Sequence, residues 1–282
     1  MPATFARPEL LASPDWLAEN LTRAGVRIVD CRWRVDGSSP RLFAEGHVPG
    51  AVFLDWPTDL VDREERTPYQ LAGPQQFSAA ASRAGIGDGA TAVLYDDTAS
   101  LYACRVWWSL GVYGFESVRI LDGGWPSWER SGRPSSRAVA RPTPAAFTPR
   151  LEPARRLSAA DVRALLGSRD TIIVDARAPS EYAGEGGVAA RLGHIPGAVN
   201  VPVAALTIPG DQRFQPPDRI ERLFRETGVG RGSRVVVYDA AGIGAAKCAF
   251  ALALLGHDDV AVYDAGWTEW AERSDLPVER SR

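Results

Sequence analysis

The chain has 282 residues, of which 45% are hydrophobic and 24% charged, and its formal net charge is −3. This length can hold two domains of ordinary size, and the composition is typical of a globular protein. The small negative charge gives no electrostatic reason to expect a nucleic acid or an anionic membrane as partner. Residues 1–20 lack the apolar core of a signal peptide and no apolar run reaches membrane-spanning length, so we expect a cytoplasmic protein.

The cysteines and histidines do not form a recognisable framework. Cys31, Cys104 and Cys248 are odd in number and far apart, which argues against structural disulfides. The three histidines have no metal-ligand spacing, either with one another or with the cysteines. We therefore predict no metal site and no bound cofactor.

Short runs of Val, Ile and Leu alternate with helical patterns along the whole chain. In the first half, helices are predicted over 14–25 and 104–112, and strands over 28–30 and 92–95. In the second half, a Ser158–Asp161 cap predicts a helix that runs toward Leu166. Further along, strands are predicted over 172–174, 199–201, 235–238 and 260–263, with a helix over 218–227. This alternation indicates parallel sheets that are covered by helices on both faces.

Four motifs of the first half recur in the second half, in the same order and at a nearly constant offset of about 145 residues. The first series is IVDCRWR (28–34), EGHVPGAVFLD (45–55), TAVLYDD (91–97) and VRILDGGWPSW (118–128). The second is IVDAR (173–177), LGHIPGAVNVP (192–202), RVVVYDA (234–240) and VAVYDAGWTEW (260–270). We therefore predict a duplicated domain, with copy one at 1–132, a Pro-, Arg- and Ser-rich linker at 133–154 and copy two at 155–282.

The most distinctive stretch of copy two is VVVYDAAGIGAAKCAFALALL, at 235–255. A strand breaks there into a loop of small residues and re-forms as a helix. Backbone N–H groups in such a loop can converge, and the positive end of the helix dipole faces the same point. This geometry favours an anion, or lowers the pKa of a thiol placed in it. The residue at the mouth of the loop is Asp239.

These motifs resemble the tandem-domain rhodanese family, which includes thiosulfate and 3-mercaptopyruvate sulfurtransferases. The resemblance covers nearly the whole chain and rests on the paired D-x-R…GH-x-PGA motifs and the paired Trp-rich strand endings. It implies an α/β fold of two rhodanese-like domains, each a mainly parallel sheet flanked by helices. It also implies that copy two carries the active loop, while copy one is an inactive partner.

In that family a loop cysteine takes up sulfur as a persulfide and passes it to cyanide or another thiol. The resemblance places Asp239 at the cysteine position, and the active-site loop then comprises Ala240, Ala241, Gly242, Ile243, Gly244 and Ala245. A carboxylate cannot accept and release sulfur as a thiolate does. We therefore expect a pseudoenzyme whose site binds a small anion or a partner such as a sulfur-carrier protein. We also expect the Asp239 carboxylate to turn into its own loop, with a lowered pKa.

The alternative is an active sulfurtransferase that uses another cysteine. Cys31 follows a strand-end aspartate, and Cys248 lies on the helix after the loop, where a small buried residue fits equally well. Trp33 is a possible substrate-binding residue, because the resemblance places that tryptophan near the inter-domain site.

Two cations and one carboxylate of copy two bear on ligand binding. Arg177 can either form a buried ion pair with Asp175 or bind a substrate carboxylate. Lys247 can either draw an anion toward the loop or occupy a solvated helix position. Glu181 stands where some family members carry a substrate-binding arginine, which weakens the case for an anionic substrate. We interpret His47 and His194 as structural residues that anchor turns.

Overall fold

The structure is a computed structural model that describes residues 4–230 and 232–281. The strands are β1 (Leu11–Ala12), β2 (Val26–Asp30), β3 (Val52–Phe53), β4 (Thr91–Tyr95), β5 (Val118–Leu121), β6 (Arg156–Leu157), β7 (Thr171–Asp175), β8 (Val199–Asn200), β9 (Arg234–Tyr238) and β10 (Val260–Tyr263). The helices are α1 (Pro14–Asn20), α2 (Ser39–Glu45), α3 (Trp56–Asp59), α4 (Pro74–Arg83), α5 (Leu101–Val112), α6 (Gly124–Arg130), α7 (Ala159–Ala164), α8 (Pro179–Ala183), α9 (Pro217–Arg225), α10 (Ile243–Leu254) and α11 (Gly266–Glu272).

Each copy forms one five-stranded sheet, and the two sheets have the same topology. The strand orders are β1-β5-β4-β2-β3 and β6-β10-β9-β7-β8, and neighbouring strands pair in parallel. The central strands β4 and β9 are almost entirely buried, as expected for a parallel sheet covered by helices on both faces. The predicted α/β class and the duplication are thereby confirmed.

A buried Asp–Arg ion pair, which we call the Asp-x-Arg latch, lies at the carboxyl end of the second strand in both copies. The Arg32 guanidinium donates hydrogen bonds to the Asp30 carboxylate at 2.6 Å and to the Gly46 carbonyl at 2.7 Å. In copy two, Arg177 holds Asp175 at 2.5 Å and the Gly193 carbonyl at 2.7 Å. The Asp-x-Arg motif therefore fixes the strand end to the GH-x-PGA turn.

The repeated pattern around the two histidines is also structural. His47 Nδ1 lies 2.8 Å from the Phe43 carbonyl, and His194 Nδ1 lies 2.7 Å from the Tyr182 carbonyl. Both rings are buried and each stacks on the aromatic ring of that same residue. The imidazoles therefore anchor turns, in agreement with our interpretation.

Some predicted boundaries are wrong. The first helix ends at Asn20 rather than near 25, and the chain turns through Gly25, whose φ is +87°. The helix after the copy-one loop begins at Leu101 rather than at 104. The Ser158–Asp161 capping box is present as predicted.

The two copies meet through helices α5 and α10, which pack against each other. Both helices are apolar over most of their circumference because each is covered by its own sheet and by the other helix. Trp107 of α5 meets Phe250 of α10 edge to face, with ring centroids 4.9 Å apart. No helix within residues 4–230 and 232–281 is both long and apolar enough to span a membrane.

Candidate active site

Asp239 follows β9 directly, and its carboxylate turns into its own loop as predicted. Oδ1 accepts hydrogen bonds from the N–H groups of Ala241 at 3.2 Å and Gly242 at 2.5 Å. Oδ2 accepts a hydrogen bond from the N–H of Gly244 at 2.7 Å. The backbone donors that could cradle a ligand anion are therefore engaged by a carboxylate of the chain itself.

The expected lowering of the Asp239 pKa is wrong. Burial among the surrounding loops raises the pKa of Asp239 above its ordinary value. The N–H bonds from Gly244 and Gly242 and the nearby Arg105 charge oppose that rise without cancelling it. The hydrogen-bond donors can be counted along the loop sequence, but the water that the carboxylate loses depends on what packs over the loop.

Two glycines of the loop approach neighbouring atoms closely. Gly242 has a φ of +76°, and a Cβ there would lie 2.6 Å from the Asp264 carbonyl oxygen. A Cβ on Gly244 would lie 2.9 Å from Asp239 Oδ2. The first glycine lets the loop approach the end of β10. The second is not needed for the inward turn of the carboxylate, because its copy-one equivalent, Tyr102, donates its N–H to the inward-turned Asp96 at 2.8 Å.

Arg105, on α5 of copy one, reaches across the interface and holds this loop. Nη1 donates to the Gly242 carbonyl at 3.1 Å and to Asp264 Oδ1 at 2.6 Å. Nη2 donates to the Tyr69 carbonyl at 2.6 Å, and the guanidinium lies 4.5 Å from the Trp108 ring centroid. With 2% of its surface exposed, Arg105 is a buried tie between copy one and the copy-two loop.

Arg105 lies in none of the repeated motifs, although the sequence contains a signal for it. Arg105 and Lys247 are the lone cations of α5 and α10, and their offset of 142 residues matches that of the repeat. A single cation in an otherwise apolar helix is buried only where it finds a partner. The aspartate that provides that partner, Asp264, lies in the repeated Trp-rich motif.

Neither interpretation of Lys247 holds. Its side chain is 3% exposed and is therefore not solvated, and Nζ donates to Thr207 Oγ1 at 3.2 Å rather than to the 239–245 loop. Burial lowers the pKa of the Lys247 ammonium. Lys247 occupies on α10 the position that Arg105 occupies on α5. It therefore lies on the copy-one side of the interface.

The side chains of the other candidate residues are buried inside the fold. Arg177 forms the buried ion pair with Asp175 and does not extend a free guanidinium toward a ligand. Cys31 and Cys248 are fully buried, and burial raises the pKa of both thiols. In the described part of the chain, no group of three or more His, Cys, Asp or Glu residues could hold a metal ion.

Trp33 belongs to a cluster of four rings in copy one, which we call the aromatic wall: Trp33, Trp56, Tyr69 and Tyr102. The Trp33 ring centroid lies 5.8 Å from that of Trp56, 5.9 Å from that of Tyr69 and 5.5 Å from that of Tyr102. Trp56 is buried, while the other three rings are half-buried. Three members were not singled out from the sequence, because they come from separate loops and helices.

The Rhodanese-like domain, as a sequence family, matches the chain twice, at residues 13–131 and 158–273. The chain belongs to the rhodanese family. Among its relatives, 3-mercaptopyruvate sulfurtransferase of Homo sapiens is 34% identical over 285 residues, covering 96% of this chain and 95% of that protein. The enzyme of the same name from Escherichia coli K12 is 33% identical, covering 94% and 96%. Thiosulfate sulfurtransferase of Rattus norvegicus is also 33% identical, covering 94% and 92%.

Solved structures agree with the rhodanese fold. The crystal structure of the Escherichia coli 3-mercaptopyruvate sulfotransferase SseA matches with a TM-score of 0.82 and 30% identity, covering 92% of this chain and 98% of that one. The ergothioneine complex of the EanB Y353A variant matches with a TM-score of 0.89 and 23% identity, covering 99% and 71%. The predicted resemblance to tandem rhodanese domains is thereby confirmed.

Proposed function

We propose that this rhodanese-family protein has lost persulfide transfer and retains its inter-domain site for binding. The observation that carries the proposal is the Asp239 carboxylate, which accepts three N–H hydrogen bonds inside the loop where we place the family's nucleophile. Sulfur transfer needs a polarisable thiolate that can form and break an S–S bond. A carboxylate in that position gives no such intermediate.

The rest of the loop supports the same conclusion. Residues 240–245 carry neither a hydroxyl nor a cationic side chain that could orient a substrate. The loop donors that would otherwise bind an anion are engaged by Asp239, so a small anion is the less favoured of the two ligands we considered. A protein partner, such as a sulfur carrier, does not depend on those donors.

Active transfer through another cysteine is disfavoured by burial. Cys31 and Cys248 each have 0% of their surface exposed, so a donor molecule cannot reach either sulfur without local opening. The raised pKa values of both thiols also reduce the thiolate fraction near neutral pH. The nearby Lys247 charge opposes the rise for Cys248 without cancelling it.

Persulfide trapping tests the proposal. The purified protein is incubated with thiosulfate or 3-mercaptopyruvate, alkylated and analysed by mass spectrometry, with the Asp239→Cys variant in parallel. We expect no added sulfur on Cys31, Cys104 or Cys248, and one added sulfur on the new thiol of the variant. A sulfur adduct on a native cysteine, or cyanide-dependent turnover near a typical enzyme's value of about 10 per second, would overturn the proposal. An unreactive variant thiol would show that position 239 is not the nucleophile position.

A further inference from the structure

A surface cavity of about 360 Å³ lies at the amino end of β2 in copy one, where linker residues 140–142 form one wall. Among the described residues that line it are three arginines, and neither Asp nor Glu: Arg23, Arg27 and Arg141. None of the lining residues belongs to the 239–245 loop or to the aromatic wall. The cavity is therefore separate from the inter-domain site.

Arg27, on β2, has an unused hydrogen-bond donor. Its Nη1 donates to the neighbouring Val26 carbonyl at 2.9 Å. Its Nε is buried and has no hydrogen-bond partner in the described part of the chain, and no carboxylate there forms an ion pair with it. A half-buried guanidinium with an unused donor and an uncompensated charge is stabilised by an anionic ligand.

The other two arginines also keep their charge. Arg23 follows α1, and its Nη1 donates to the neutral side-chain oxygen of Asn20 at 3.2 Å. The exposed side chain of Arg141 has neither a hydrogen bond nor an ion pair within residues 4–230 and 232–281. The cavity therefore holds three guanidinium charges that no carboxylate of the described chain pairs with.

The carboxylates of the two adjoining cavities are already paired with other arginines. One of these cavities is lined by Glu9 and Glu116, and the other by Asp59. Their ion pairs are Arg7–Glu9 at 3.4 Å, Arg155–Glu116 at 2.6 Å and Arg83–Asp59 at 2.8 Å. Although the whole chain has a net charge of −3, this part of its surface is therefore positive.

The docked linker holds Arg141 beside the cavity. Before Arg141, the Ala138 carbonyl lies 3.1 Å from His47 Nε2. After it, the Ala145 N–H donates to the Ser82 carbonyl at 3.2 Å. The backbone is thus fixed on both sides of Arg141, and the linker completes a site that copy one begins.

The fold does not require these arginines. By the repeat, Arg23 corresponds to Ser168 and Arg27 to Ile172, although β2 and β7 pair with their neighbours in the same way. Arg141 lies in the linker, outside the repeat. Copy two builds the same scaffold without cations at these places, so the positive charge is a property of this cavity.

We infer that this cavity binds a small organic molecule that carries a phosphate monoester. Guanidinium groups donate paired N–H bonds to phosphate oxygens, and three uncompensated cations favour a dianion over a monoanion. The cavity is larger than a phosphate ion, and much of its remaining wall is apolar, including Val26, Val52, Ala84 and Pro142. An organic group fits against that wall. This inference goes beyond the proposed function and does not depend on it.

Phenyl phosphate and phenyl sulfate form a matched pair of probes, because they have the same shape but the phosphate is mainly a dianion at a pH of about 7.5. Isothermal titration calorimetry of the intact protein should show phenyl phosphate binding at least about fivefold more tightly than phenyl sulfate. Inorganic phosphate, which lacks the organic group, should also bind at least about fivefold more weakly than phenyl phosphate.

Variants locate the binding site. Arg27→Gln and Arg141→Gln should each weaken phenyl phosphate binding about fivefold or more. Arg141 is exposed on the linker, so its variant tests the site even where Arg27→Gln impairs folding. Arg222→Gln, on the exposed surface of α9 in copy two, is the control that removes the same charge elsewhere, and it should leave the affinity within about twofold.

Three results would overturn the inference. Absence of phenyl phosphate binding would show that the cavity is not a ligand site. Equal affinity for phenyl phosphate and either phenyl sulfate or inorganic phosphate would exclude a phosphate monoester as the preferred ligand. An affinity that Arg141→Gln and Arg222→Gln change alike would place the bound probe outside this cavity.

Discussion

The inter-domain interface has two sides that the repeat makes equivalent, and they are built differently. On the copy-two side, Arg105 ties Gly242 to the Asp264 carboxylate, which Arg156 also approaches at 2.9 Å. On the copy-one side, Lys247 takes the position of Arg105 but has Thr207 as its hydrogen-bond partner, at 3.2 Å. One side is held by a buried ion-pair network. On the other side the Lys247–Thr207 bond lies within copy two, and the copies are joined by hydrogen bonds from Phe214 N–H to Asp122 and from Ala99 N–H to Gln212.

This difference shows what copy one contributes. A guanidinium can hold two carbonyls and a carboxylate at once because its five donors are fixed in one plane, whereas an ammonium is a compact point charge. Copy one therefore holds the copy-two loop with a buried guanidinium, whereas copy two holds the copy-one loop with the neutral Gln212 side chain, which accepts the Ala99 N–H at 3.0 Å. The asymmetry agrees with our assignment of the ligand site to copy two.

Substitution of Arg105 should cause the largest loss of stability. Arg105→Met leaves Asp264 buried without its main partner and frees the Gly242 and Tyr69 carbonyls, so we expect a loss of about 3–5 kcal/mol in the free energy of unfolding. Lys247→Met is the matched control on the other side. It replaces a dehydrated ammonium by an apolar chain of similar length, so we expect a change within about 1 kcal/mol. Urea denaturation followed by tryptophan fluorescence measures both.

Equal losses in the two variants would contradict the comparison, because they would show that both sides of the interface are held alike. A small loss in Arg105→Met alone would mean that Arg156 replaces the missing charge beside Asp264. The double variant Arg105→Met/Arg156→Met would then show the expected loss.

The loop positions that face these cations provide a second test. Gly242 and Ser100 precede α10 and α5 and both adopt positive φ, at +76° and +62°. Gly242→Ala should cost about 2–4 kcal/mol, since its Cβ would lie 2.6 Å from a backbone oxygen of Asp264. Ser100→Gly should change stability by no more than about 1 kcal/mol, because relief of the left-handed conformation is offset by a more flexible unfolded chain. A Gly242→Ala variant as stable as the parent, measured by thermal unfolding, would show that the loop does not need this close approach.

The repeat allowed much of this structure to be predicted from the sequence. The sheets, the Asp-x-Arg latches and the inward turn of Asp239 follow from local motifs whose partners lie within one copy. Arg105, Asp264 and Tyr69 could not be placed in the same way, because they meet only when the two copies dock. The predicted direction of the Asp239 pKa shift is wrong for a related reason. Hydrogen-bond donors can be counted along the loop, but the dehydration of the carboxylate depends on what packs over the loop.

The smallest expected effect concerns the aspartates at the ends of β5 and β10. Asp122 and Asp264 are equivalent, and each accepts a backbone N–H from the opposite copy: Asp122 from Phe214 at 3.0 Å, and Asp264 from Leu71 at 3.1 Å. Asp264 has a buried arginine as its partner, whereas Asp122 has the more exposed Arg213 nearby. Burial raises the pKa of Asp122 to about 6, and the Phe214 N–H and Arg213 only partly oppose that rise.

Because this pKa is raised in the folded protein, the native state binds more protons than the unfolded chain between the ordinary value of 3.8 and about 6. The stabilising contribution of Asp122 is therefore complete below about 4 and is lost as the pH rises through about 6. Asp122→Asn cannot ionise but still offers an oxygen to the Phe214 N–H. The stability of the parent relative to this variant should fall by about 1 kcal/mol from pH 4 to pH 7, after solvent screening of the half-buried carboxyl. Urea midpoints at the two pH values test this, and a constant difference between parent and variant would show that Asp122 titrates at its ordinary value.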